Sequence, residues 1–224
     1  FKKEWLHWID HRPDGCIPTL KKATYLTAVD LNNKPDSAKS DYGVVITAAI
    51  DSEGNLWIVD VTRGHPTGVE MVRWVRNHAH RWKPKVVYME AVAFQAQFRP
   101  FLEEDMLRGG EPFKIVPIQR GGHNSASKDD RIMSLAYIAE AGGIYVRRGL
   151  DDFATEFERY QPGTKCRRDQ LDALSDIYRE GFRVKEPSTK RPSPSSPFVM
   201  ANLLKDLYDH EDSGGRVRRV MGGY

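Results

Sequence analysis

The chain has 224 residues, 40% of them hydrophobic and 29% charged, and a formal net charge of +3. These are the proportions of a globular chain with one good-sized core and an appendage. They exclude a wholly disordered chain, and the absence of any apolar run of about 18 residues excludes a membrane-spanning helix. The small charge excess identifies no nucleic-acid partner by itself, so the placement of charge has to decide.

The first element, residues 1–20, is aromatic and charged, is broken by Pro13, Gly15 and Pro18, and reads as a connector. Because the chain opens on Phe1, it is expected to be a piece of a longer protein. Ala23 to Leu31 ("ATYLTAVDL") alternates and is rich in strand formers. After the loop "NNKPDSAKSD" come a second strand, Tyr42 to Ile50, a turn "DSEGN" with Gly54 available for a positive φ, and a third strand, Leu56 to Thr62. These three predict an antiparallel meander. Thr67 to Trp82 changes period: Thr67 caps a helix whose apolar stripe is Val69, Val72, Val75 and Ala79. A buried strand, Val86 to Met89, ends on Glu90. A helix is predicted over Phe94 to Leu107, a short strand in "FKIVPIQ", and a helix capped by Ser127 and stopped at Gly142 and Gly143. The strand "IYV" and two helices, about Leu150 to Tyr160 and Asp169 to Phe182, complete the core. "KEPSTKRPSPSSPF" is a Pro/Ser-rich linker, Val199 to His210 has the pattern of a short amphipathic helix, and "SGGRVRRVMGGY" is a basic tail. Strands followed by strand–helix alternation predict a mixed α/β sheet. The two cysteines, Cys16 and Cys166, form neither a disulfide framework nor a metal-ligand spacing, which points to a reducing compartment.

The acids carry the chemical signal. Asp30 lies near the end of the first meander strand, Glu90 ends the strand after the long helix, and Asp169 opens the last helix, with Asp172 one turn further on the same face. If the strands bearing Asp30 and Glu90 are neighbours, the helix can bring a third acid to them. Clustered carboxylates repel one another unless a cation is present. Oxygen ligands without His or Cys suit Mg²⁺ or Mn²⁺, and two such ions about 3.5–4 Å apart support phosphodiester cleavage. Any one of these acids taken alone can equally be a loop cap or an ion-pair partner. Asp172 is as well suited to bracing the site as to binding metal.

Four pieces, "AVDLNNKPDSAKSDYGVVI", "VVYMEAVAFQ", "SKDDRIMSLAYIAEAGGIYV" and "RRDQLDALSDIYREGF", together resemble the C-terminal nuclease domain of tailed-bacteriophage large terminase subunits. With their spacing they cover Thr24 to about Phe182. The resemblance implies a ribonuclease H-like mixed sheet, an antiparallel three-strand meander plus parallel strands, flanked by helices. It implies a connector at 1–20, a nuclease domain at 21–184 and a linker with basic tail at 185–224. It also implies an endonuclease that uses two Mg²⁺ or Mn²⁺ ions to cut concatemeric viral DNA during genome packaging in the host cytoplasm. Asp30, Glu90 and Asp169 become the metal-binding acids. The family's third site is often a His-Asp-Asp run, where this chain has Arg167, Arg168 and Asp169, so the choice between Asp169 and Asp172 stays open. The implied partners are double-stranded DNA, the ATPase domain of the same full-length chain, a portal and a small terminase subunit, with no membrane. The sequence holds no G-x-x-x-x-G-K-[ST] motif, so no ATPase activity is expected of it.

Arg120, Lys128, Arg131, Lys165, Arg167 and Arg168 lie near the proposed site and are candidate DNA contacts, of the kind that position a phosphate backbone without reading bases. Solvated surface charge is the alternative. Of the histidines that could be called catalytic, His65, His78, His80 and His123, His78 and His80 read as surface residues and His123 as a weak candidate for substrate contact, while Met71, Trp74 and Trp82 read as packing. Two competing functions remain: a junction resolvase or transposase of the same fold, and a non-catalytic module that docks on a portal.

Overall fold

The computed structural model describes residues 1–9, 23–31, 42–91, 98, 100, 114–119 and 127–183. Among the described residues, seven strands form one sheet in the order β1-β7-β4-β3-β2-β5-β6. They are β1 (Leu6–Ile9), β2 (Thr24–Asp30), β3 (Gly43–Ile50), β4 (Leu56–Gly64), β5 (Val86–Glu90), β6 (Ile115–Ile118) and β7 (Ile144–Arg147). The described helices are α1 (Gly68–Trp82), α2 (Lys128–Glu140), α3 (Asp151–Arg159) and α4 (Asp169–Arg183).

β2, β3 and β4 are the antiparallel meander, and every other pairing is parallel. β3 is buried along its whole length, which explains why "GVVITAAI" shows almost no polar alternation. The β3–β4 turn is held by Asp51, whose Oδ1 accepts the backbone N–H groups of Glu53 and Asn55, both at 2.9 Å. Gly54 supplies the positive φ of 91° that this turn needs. Opposite the junction of Thr47 and Ala48 the ladder slips by one residue, and Val59 is the extra residue of the bulge.

α4 packs across β2 and β3, and it can come close because of Gly181. A Cβ there would lie 2.6 Å from Ile50 Cδ1 and 2.7 Å from Leu26 Cδ1. Leu171, Leu174 and Ile177 of α4 share one core with Leu26, Ala28, Val86 and Tyr88 of the sheet. The same core takes in Ile132 and Leu135 of α2 and Phe153 and Phe157 of α3.

Three expectations change. Residues 6–9, read as connector, form β1, an edge strand parallel to β7. The α1 stripe is rotated: Met71, Val72, Val75 and His78 are buried while Val69 is exposed. The reading built on valines missed that Met71 and His78 complete the i, i+4, i+7 series. His78 is therefore not a surface residue. Its Nδ1 lies 2.8 Å from Thr47 Oγ1 and its Nε2 2.9 Å from Thr62 Oγ1. The caps at Thr67 and Ser127 are present as read, both as full capping boxes. Apart from Phe98 and Pro100, the helix read over Phe94 to Leu107 lies outside the described residues, as do the loop at 32–41 and the whole of 184–224.

Candidate active site

β2 and β5 are parallel neighbours whose ladder runs to Val29 opposite Met89, so Asp30 and Glu90 are the next residue on each strand. Side chains alternate along a strand. Leu26 and Ala28, and likewise Val86 and Tyr88, face the core under α4, which sends Asp30 and Glu90 to that same side. α4 begins at Asp169. Asp169 in its first turn accepts the Tyr42 backbone N–H just before β3, and Lys128 lies in the field of Asp30, Asp169 and Asp172 together, which brings that turn to the end of β2.

The two acids of that turn are buried, with Asp169 3% and Asp172 1% exposed. Carboxylates this deep need a cation or hydrogen-bond donors. Both kinds of partner come from α2 and from Tyr42. Lys128 Nζ lies 2.8 Å from Asp169 Oδ1 and 3.7 Å from Asp172 Oδ2. One turn later, Arg131 donates from Nε at 3.0 Å and from its NH2 nitrogen at 2.8 Å to Asp172 Oδ1, and from that nitrogen to Oδ2 at 2.9 Å. The Tyr42 backbone N–H donates to Asp169 Oδ2 at 3.2 Å. Burial works against the Lys128 charge, but Asp30, Asp169 and Asp172, with the hydrogen bond to Asp169, outweigh it and hold its pKa above the usual lysine value.

Lys128 and Arg131 are thus directed inward, onto the acids of α4. The Ser127 capping box fixes the start of α2, and an i, i+3 spacing sets both side chains on the face turned to α4. The buried acids of α4 draw them in. Arg168 is also engaged: it pairs with Asp129, which accepts from the Tyr160 hydroxyl at 2.8 Å and the Gly163 N–H at 3.1 Å. Arg167 and Lys165 are exposed. The Arg167 guanidinium stacks over the Tyr42 ring at 4.1 Å, with Arg63 also over that ring at 5.2 Å and His65 at 4.7 Å between centroids. Arg120 and His123 lie outside the described residues.

Among the described residues, no three His, Cys, Asp or Glu side chains are already gathered as a metal cage. The donor chemistry nevertheless suits a hard cation. The acids are all carboxylates, and one ammonium stands in the field of Asp30, Asp169 and Asp172 as a resident positive charge. Asp172 has both oxygens taken by Arg131, whereas Asp169 is held by one ammonium and one amide. Tyr42, Arg63 and Glu156 belong to this region and were not picked out in the sequence.

A seven-stranded mixed sheet with an acid at the ends of two adjacent central strands, and a closing helix that brings further acids, is a ribonuclease H-like fold. It is the fold of large terminase nuclease domains. The structure is similar to the P22 large terminase nuclease domain, with a TM-score of 0.55 and 17% identity, over 81% of this chain and 90% of that one. It is similar also to the large terminase nuclease from the thermophilic phage G20c, solved with bound magnesium, with a TM-score of 0.52 and 16% identity, over 80% and 94% of the two chains. No family model matches the sequence, and neither does any curated protein.

Proposed function

We propose that the chain is a metal-dependent DNA endonuclease that cuts concatemeric viral DNA during genome packaging. The observation that carries this reading is the pair of buried acids Asp169 and Asp172 at the start of α4, which share the Lys128 ammonium with Asp30 at the end of β2. Likeness of fold to the P22 and G20c nucleases supports it, the latter having been solved with magnesium. Asp30, Glu90 and Asp169 would hold Mg²⁺ or Mn²⁺. Bound there, the metal supplies an activated water and charge stabilisation for the leaving oxygen of a phosphodiester.

The chain's own residues have separate tasks. Arg131 clamps Asp172 and so fixes α4 against α2. Lys128 balances the acids while no divalent cation is bound, and its long side chain can withdraw from Asp169. Arg167, flattened on Tyr42 beside the acids, and Lys165 would hold the DNA backbone. In the packaging role the partners would be an ATPase domain of the same protein, a portal and a small terminase subunit, in the host cytoplasm.

The test is nicking of supercoiled plasmid with Mn²⁺ or Mg²⁺ and without ATP. Cutting that stops in EDTA supports the reading. Cutting that persists in excess EDTA, or its absence with both metals, overturns it.

A further inference from the structure

α4 begins without a cap of its own. The residue before Asp169 is Arg168, which has no short oxygen-bearing side chain to accept the first amides of the helix. Those amides are met from another helix. Glu156, on α3 and 5% exposed, accepts the backbone N–H of Gln170 at 2.7 Å and of Leu171 at 3.2 Å on Oε1. Its Oε2 accepts Gln170 Nε2 at 2.8 Å. Arg63 of β4 closes the group, with a guanidinium nitrogen 3.8 Å from Glu156 Oε2 and another 2.8 Å from Asp152. A buried carboxylate at a helix N-terminus satisfies orphan donors and opposes the positive end of the helix dipole. The turn so held is the one whose first residue, Asp169, reaches the acid cluster.

We infer that Glu156 is a positioning residue for the metal-binding edge: by capping α4 from α3, it fixes where Asp169 stands relative to Asp30 and Glu90. This rests on the nuclease reading of the site. Positioning by hydrogen bonds and positioning by charge make opposite demands on substitutions. Glu156→Gln keeps an oxygen for the two backbone amides, and its NH₂ group can donate to Gln170 Oε1, a buried atom with no hydrogen-bond partner among the described residues, if the Gln170 amide turns over. Glu156→Asp keeps the charge but shortens the reach by one methylene, drawing the carboxylate away from the helix.

The experiment titrates Mn²⁺ alone into the 224-residue protein by calorimetry, with thermal melting and plasmid nicking measured on the same samples. Glu156→Asp and Glu156→Ala are expected to weaken Mn²⁺ binding on the order of tenfold, as loss of an outer support around a metal site does. Nicking by these variants should recover as Mn²⁺ is raised, and Glu156→Gln should bind within about threefold of the parent, well short of that loss. If Glu156→Ala does not fold, Glu156→Asp decides. Parental Mn²⁺ affinity in folded Glu156→Asp, or a loss in Glu156→Gln as large as in Glu156→Asp, overturns the inference while leaving the nuclease reading intact. A parent protein that neither binds Mn²⁺ nor nicks DNA overturns both.

Discussion

Replacing Arg131 by Met tests whether the arginine serves the acid cluster or the DNA. Its side chain is 10% exposed and that of Asp172 2%, and three hydrogen bonds join them. Breaking a pair this deep typically costs 3–5 kcal/mol, because the surviving charge loses its main compensation while it stays buried. Lys128, at 3.7 Å from Asp172, keeps part of the compensation, so the lower end, about 3 kcal/mol, is expected. For a domain of this size that is a fall in Tm of roughly 6–12 °C. The assay is differential scanning calorimetry in metal-free buffer, on Arg131→Met, Asp172→Leu and the double variant. Removing both partners takes the two opposite charges out together, so the double variant should melt above Arg131→Met. An Arg131→Met protein that melts within about 2 °C of the parent, less than 1 kcal/mol, would show that Asp172 does not depend on Arg131 and would refute the assignment.

The buried His78 has its pKa pushed down to about 4 from 6.5, chiefly by burial. The unfolded chain therefore takes up this proton first, and the stability present above about pH 6.5 is lost as pH falls toward 4, by about 3 kcal/mol in all. Urea unfolding across that range should show an acid limb shallower by one proton in His78→Gln than in the parent, and equal limbs would contradict the burial. Asp30→Asn should abolish nicking while the protein melts normally, since it removes one of several mutually repelling charges; a normal nicking rate with intact melting would exclude Asp30 as a ligand. Arg167→Ala should weaken DNA binding and lower the slope of log K against log salt by about one. An unchanged slope would place Arg167 off the DNA path.

The acid-bearing strands were legible because each ends an apolar run with a carboxylate. "TAVD" and "VVYME" can be strands only if Asp30 and Glu90 fall at their ends, and the parallel β2–β5 ladder places them side by side. The helix starts at Thr67 and Ser127 were legible because capping is local chemistry. What failed to show depends on contacts distant in sequence. β1 is four residues long and becomes a strand only by pairing with β7, well over a hundred residues later. Lys128 and Arg131 look like surface charge until α2 is laid against α4. Glu156 looks like any helical glutamate until α4 is seen to lack a cap. In each case the residue types were visible and the partner was not.

The central claim, that Asp30, Glu90 and Asp169 form a metal-binding edge, is tested most directly by diffraction from crystals soaked in Mn²⁺, using its anomalous signal. The account predicts anomalous peaks bounded by these three carboxylates, with Lys128 Nζ moved away from its present 2.8 Å contact with Asp169 and Arg131 still on Asp172. Peaks located elsewhere, or an ordered protein with no peak there and Lys128 still bound to Asp169, would contradict it.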